Sequence, residues 1–143
     1  MSNNSNFTIA VHTLTLIARH GQPLSSSFIA DSVTTSPVTI RKLVRVLREG
    51  GLVRTLPGSA GGTVLSRPAS DISLKDIYEL FRNETLFGLY PSNPNPQCIV
   101  GRHLEGILVN VFADAESLLA SFLAKTTLAD ILETVVERDE KLT

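Results

Sequence analysis

The chain has 143 residues, 43% hydrophobic and 19% charged, which suits one compact domain burying roughly two-thirds of its unfolded surface without staples. A single cysteine excludes an internal disulfide and a structural zinc site, no apolar run approaches the roughly 20 residues of a membrane span, and the polar start from Met1 to Asn6 lacks a signal-peptide pattern, so a soluble cytoplasmic protein without a membrane partner is expected. The net charge of -1 excludes a uniformly basic coat for nucleic acid, but as an average it hides where the charges sit.

Phe7, Ala10, Val11, Leu14, Ile17 and Ala18 recur at helical spacing, and Gly21 with Pro23 stops this first helix after Arg19 and His20. Ser25 to Ser27 offer N-cap oxygens to a second helix of about two turns, Phe28 to Val33. After a brief Thr34-Thr35 connection, Ser36-Pro37 starts a third helix, because serine accepts from an orphan N–H and proline at the first helical position has none to lose. Ile40, Leu43, Val44 and Leu47 form its apolar face, and Gly50-Gly51 ends it. Leu52 to Leu56 and Thr63 to Ser66 read as strands, with Pro57 to Gly62 as a hairpin tip. Ser73 caps a fourth helix expected from Leu74 to about Phe87, with Ile77, Leu80 and Phe81 inward. Pro91, Pro94 and Pro96 make an extended loop. From about Val100 to Phe122 apolar residues alternate at threes and fours on a helix longer than the remaining core can cover, and a second copy of the same helix is the expected cover. Thr126 or Thr127 caps a last helix, Leu128 to about Arg138, expected to fold back on the long one.

Two short helices joined by a tight turn and followed by a β-hairpin form a winged helix-turn-helix pattern. The fold class is therefore mainly α with a small β wing and a long C-terminal dimerisation helix. Residues 1–68 read as the DNA-binding domain, 69–98 as a connecting helix and Pro-rich sensor loop, and 99–143 as dimerisation helices. Charge follows this division. Through Pro68, seven cations face Asp31 and Glu49 for a net +5; beyond it, six cations face twelve carboxylates for -6. A chance fluctuation is the alternative to a basic surface built for an anion. With the apolar face inward, Val38, Thr39, Arg41, Lys42, Arg45 and Arg48 are left outward. Thr39, Arg41, Lys42 and Arg45 would enter the major groove, while Ser36, Arg48, Arg54, Gly58, Ser59 and the backbone at Gly61 would position phosphates.

Several residue strings resemble the bacterial Rrf2 family of winged-helix repressors across nearly the whole chain. They are Ile29-Ala30, Leu47 to Val53, Gly58 with Gly61-Gly62, Leu65 to Pro68, Ile72 to Leu74 and Thr127 to Asp130. Asn93 to Cys98, with Val100-Gly101, is similar to the single-cysteine YwnA-type branch. The resemblance implies a homodimer on a pseudo-palindromic double-stranded operator, with the long helices crossed at the interface. Two positions depart from the family. Pro57 stands where members often carry a minor-groove arginine, and Thr63 where an aromatic often follows the paired glycines. Cluster-binding members present three cysteines before the long helix and a further ligand after them; here only Cys98 remains and Gly101 occupies the later position. One thiolate per chain does not supply the four protein ligands an iron–sulfur cluster usually takes, so no cofactor and no metal is expected. His12, His20 and His103 read as surface residues rather than ligands.

Cys98 is the candidate sensor, since it precedes a helix start where unpaired N–H groups favour thiolate. A buried, inert cysteine packing the loop against the helix is the equal alternative. The reading is thus a sequence-specific DNA-binding regulator, a homodimeric repressor responsive to oxidation through Cys98. The competing class is a dimeric protein-interaction module of the same fold without specific DNA recognition. An enzyme is not expected, because a lone cysteine has no positioned base and no nucleotide or paired-carboxylate motif is present.

Overall fold

Side-chain caps start four of the described helices. A computed structural model describes residues 4–82 and 86–143; positions 1–3 of the polar start and 83–85 lie outside the described residues. The elements in order are α1 (Asn4–His20), α2 (Ser26–Val33), α3 (Pro37–Glu49), β1 (Val53–Leu56), β2 (Gly62–Leu65), a 3-10 turn (Ala69–Asp71), α4 (Leu74–Phe81), α5 (Ile99–Leu123) and α6 (Leu128–Glu140). Ser25 Oγ accepts from the Phe28 N–H at 3.1 Å, and Ser36 Oγ from the Thr39 N–H at 3.2 Å. Between α2 and α3 the chain turns sharply at Thr34, whose φ of 66° is left-handed and whose N–H closes on the Ala30 carbonyl at 2.8 Å.

The hairpin pairs antiparallel from Val53 with Leu65 to Leu56 with Gly62. A third edge comes from the segment before α2: Leu24 and Thr63 exchange both backbone hydrogen bonds, at 3.1 and 2.8 Å. Gly62 permits this approach. Its φ is +148°, and a Cβ there would stand 2.6 Å from the Leu24 carbonyl oxygen. Thr63, the departure from the aromatic pattern, is consequently buried beneath the wing.

Leu14, Ile17, Ile29, Ile40, Leu47, Leu52, Ile72, Ile77 and Leu128 meet in one core. Each such side chain contributes roughly 1.5–3 kcal/mol on burial. Leu128 shows that the last helix belongs to this body. The Leu128 N–H donates to the Ile72 carbonyl (2.8 Å), the Leu74 N–H to the Thr126 carbonyl (2.9 Å), and Ser73 bridges Thr127. These bonds steer α6 onto α1, correcting the expectation that it folds back on the long helix.

The fourth helix is also shorter than its apolar spacing suggests. It ends at Phe81, and Arg82 has left helical dihedrals (φ −88°, ψ 81°). Tertiary contacts draw the chain away: Glu116 on α5 accepts from the Leu86 N–H at 2.7 Å and pairs with Arg82 at 3.8 Å, and the Phe87 ring lies 4.9 Å from that of Phe112. The 25-residue α5 is long and apolar enough, by length and composition, to cross a bilayer, which amends the reading that no stretch approaches that size.

One ion pair ties the wing to α4. Arg67 donates through Nε to the Asp71 carbonyl (2.9 Å) and through a terminal nitrogen to Asp76 (3.1 Å), while Asp76 also accepts from the Ser73 N–H (2.9 Å) in a capping box. Partial burial raises the Asp76 pKa, but the backbone and hydroxyl of Ser73 and the Arg67 guanidinium outweigh it, leaving the carboxyl below its ordinary 3.8. A depressed carboxylate stabilises the fold fully above the unfolded value and loses that contribution as pH falls through the folded one. Asp76→Ala should therefore lower stability by about 1 kcal/mol at neutral pH, chiefly through the lost cap. In urea titrations the gap between wild type and variant should close as pH drops below 3.8.

Candidate nucleic-acid interface

The site is built by the rotation of α3. Ile40, Leu43, Val44 and Leu47 are buried, which turns Val38, Thr39, Arg41, Lys42, Arg45 and Arg48 to the exposed side. Ser36 sits at the head of this face, its Oγ 3.0 Å from Thr39 Oγ1. The cations differ in what they touch. Arg41, Lys42 and Arg54 make no ion pair among the described residues. Arg48 donates to Thr55 Oγ1 on β1 at 3.2 Å and so braces the helix against the wing. Arg45 donates through Nε to Glu49 at 3.2 Å. Arg67, counted with the basic half, is consumed by the α4 cap.

On the wing, Val53 points inward and Arg54 outward. Pro57, Gly58, Ser59 and Ala60 are exposed at the tip. The Gly61 N–H donates to the Gly58 carbonyl at 3.1 Å and closes the turn. The structure thus groups Ser36, Thr39, Arg41, Lys42, Arg45 and Arg48 on one helix face, with Arg54 and Thr55 on the adjoining strand. Thr55 and Glu49 were missed as partners. The four-residue spacing of Arg45 and Glu49 was a visible signal, whereas Thr55 meets Arg48 only through the packing of strand on helix.

The histidines have structural neighbours. His12 Nε2 lies 2.8 Å from Ser32 Oγ, joining α1 to α2, and His20 meets Phe28 edge-on at 5.1 Å.

Cys98 is the N-cap residue of α5 and is exposed, not buried between the loop and the helix. Its sulfur closes no full capping bond, yet the facing N–H groups of Gly101 and Val100 lower the thiol below its ordinary value. The Pro-rich loop lies against this turn: the Cys98 N–H donates to the Asn95 carbonyl at 3.1 Å, and a Cβ on Gly101 would stand 2.6 Å from that same oxygen. A ligand side chain in place of Gly101 would not fit without moving the loop.

A helix-turn-helix braced by a β wing defines a DNA-binding protein, and comparison with known proteins names the kind. The profile of the Rrf2 family, described as an iron-dependent transcriptional regulator, matches residues 3–134. YwnA of Bacillus subtilis, named as an HTH-type transcriptional regulator, is 34% identical over 130 residues, covering 90% of this chain and 96% of that protein. Among solved structures, IscR of T. potens superposes with a TM-score of 0.67 at 25% identity, covering 91% of this chain and 85% of the other. CymR of B. subtilis, a global cysteine regulator, superposes at 0.65 with 22% identity, covering 94% and 96%, and supports the fold. The chain belongs to the Rrf2 family of DNA-binding transcriptional regulators.

The family description invokes iron, and the donor set here does not match it. Among the described residues no three His, Cys, Asp or Glu side chains converge, and the lone exposed thiol cannot supply the four ligands of a cluster.

Proposed function

We propose that this regulator is a homodimeric repressor that reads a pseudo-palindromic operator in the cytoplasm and answers oxidation at Cys98. The observation that carries the DNA reading is the outward face of α3, where Arg41 and Lys42 stand exposed beside Thr39 with no ion pair among the described residues. An arginine there can bridge guanine O6 and N7, threonine can meet a thymine methyl, and Ser36, Arg48 and Arg54 would hold the flanking phosphates. Gly58 and Ser59 would ride the backbone at the wing tip.

Dimerisation follows from α5. One face, with Leu108, Phe112 and Leu119, is partly covered by its own chain. The adjoining face leaves Ile107 58%, Leu118 73% and Phe122 68% exposed, and no residue of α5 is buried. Leaving such side chains in water forgoes roughly 1.5–3 kcal/mol each. A second apolar feature awaits cover: a groove of about 520 Å³ between α1 and α6, lined by Phe7, Val11, Leu16, Ile131, Leu132 and Val135.

Arg41→Ala is expected to weaken operator binding by roughly 1–3 kcal/mol while changing affinity for random duplex much less. Equal losses on both duplexes in binding isotherms would remove Arg41 from base reading. Leu118→Glu is expected to convert a dimer into a monomer in sedimentation velocity; a monomeric wild type at micromolar concentration would refute the dimer. Peroxide, which oxidises a thiolate to sulfenic acid, should weaken operator binding, and Cys98→Ser should abolish that response. A variant that still responds would clear Cys98 of the role.

A further inference from the structure

We infer that Glu49 is a specificity-determining residue of the DNA-reading face, acting by offsetting the charge that Arg45 offers to sequence-independent phosphate contacts. The inference rests on the DNA-reading role of α3 proposed above. Glu49 and Asp31 are the two carboxylates before Pro68, and Glu49 is the one on α3. Steps of four, three and four residues place Val38, Lys42, Arg45 and Glu49 on one stripe of the exposed face. The carboxylate therefore stands among the groups that would approach DNA.

Its contribution to the helix itself is unfavourable. The last turn of a helix is the negative end of the macrodipole, where a carboxylate is repelled. The pair also runs in the weaker order, with the cation N-terminal to the anion. With the two side chains 73% and 66% exposed, the 3.2 Å contact contributes little to stability. What the pair does change is the charge offered to DNA. Of the four cations on α3, Arg41 and Lys42 make no ion pair among the described residues and Arg48 meets a neutral hydroxyl, so among these partners Arg45 alone is neutralised. A random duplex rewards a cation only through phosphate contact, and there the Glu49 carboxylate on Arg45 Nε offsets the cation's charge and repels phosphate. A cognate duplex adds a base contact through the terminal guanidinium nitrogens that outweighs this offset. Glu49 thus penalises random DNA more than the operator.

The test is a set of anisotropy titrations on operator and random duplexes of equal length, from 50 to 200 mM salt. The proteins are wild type, Glu49→Gln, Arg45→Ala and the double variant, with thermal melts confirming that each folds. Glu49→Gln should bind random DNA more tightly, with a log–log salt slope steeper by about 0.9, so that its gain is about threefold larger at 50 than at 200 mM. Its operator-to-random ratio should fall. In the Arg45→Ala background the same substitution should leave the slope unchanged. An unmoved slope in Glu49→Gln, or an equal gain without Arg45, overturns the role of Glu49. A wild type with no preference between duplexes overturns the operator reading and the specificity role with it.

Discussion

The burial of one face of α3 governs the rest of the molecule. Ile40, Leu43, Val44 and Leu47 sit in the core against α1 and α2, and together they are worth several kcal/mol. Turning α3 by a quarter would exchange them for Arg41 or Lys42, which a core cannot hold without partners. The helix has one stable rotation, and in that rotation the cations face outward. The proposed DNA-reading surface is therefore a consequence of packing, and its precision depends on the core behind it.

A sequence of short ties carries that placement to the far end of the chain. Leu24 and Thr63 clamp the wing to the segment before α2, Arg48 and Thr55 brace it against α3, and Arg67 fastens its exit to the α4 cap. The α4 cap in turn lies beside the α6 cap through Ser73 and Thr127. The C-terminal end of α5 is thus anchored to the DNA-binding body. Its N-terminal end, about 37 Å away by helical rise, carries Cys98 and the loop over Gly101. The end that bears the cysteine and the end beside the α4 and α6 caps are thus the two ends of one continuous helix.

Much of this was legible in the residues. Ser25, Ser36, Ser73 and Thr127 all cap helices as their side-chain chemistry requires, because a cap is a local bargain between one oxygen and one orphan N–H. The outward set on α3 was legible for the same reason, since helical period alone sorts Arg41 from Ile40. The end of α4 and the docking of α6 were not, because Glu116 and Ile72 decide them from more than 30 residues away in the chain. Nor does a count of charges reveal that Arg67 serves the fold and that Arg45 is neutralised. The basic half is real, but the part left for the proposed DNA contact is narrower: Arg41 and Lys42 without an ion pair among the described residues, Arg48 braced at the edge of α3, and Arg54 on the wing.

That narrow surface, duplicated by a two-fold axis, is the central claim. Selecting genomic fragments with the purified chain tests it most directly. Enrichment of a single motif with two-fold symmetry is the predicted result. Recovery of fragments with no shared motif, at yields that follow length alone, would contradict it.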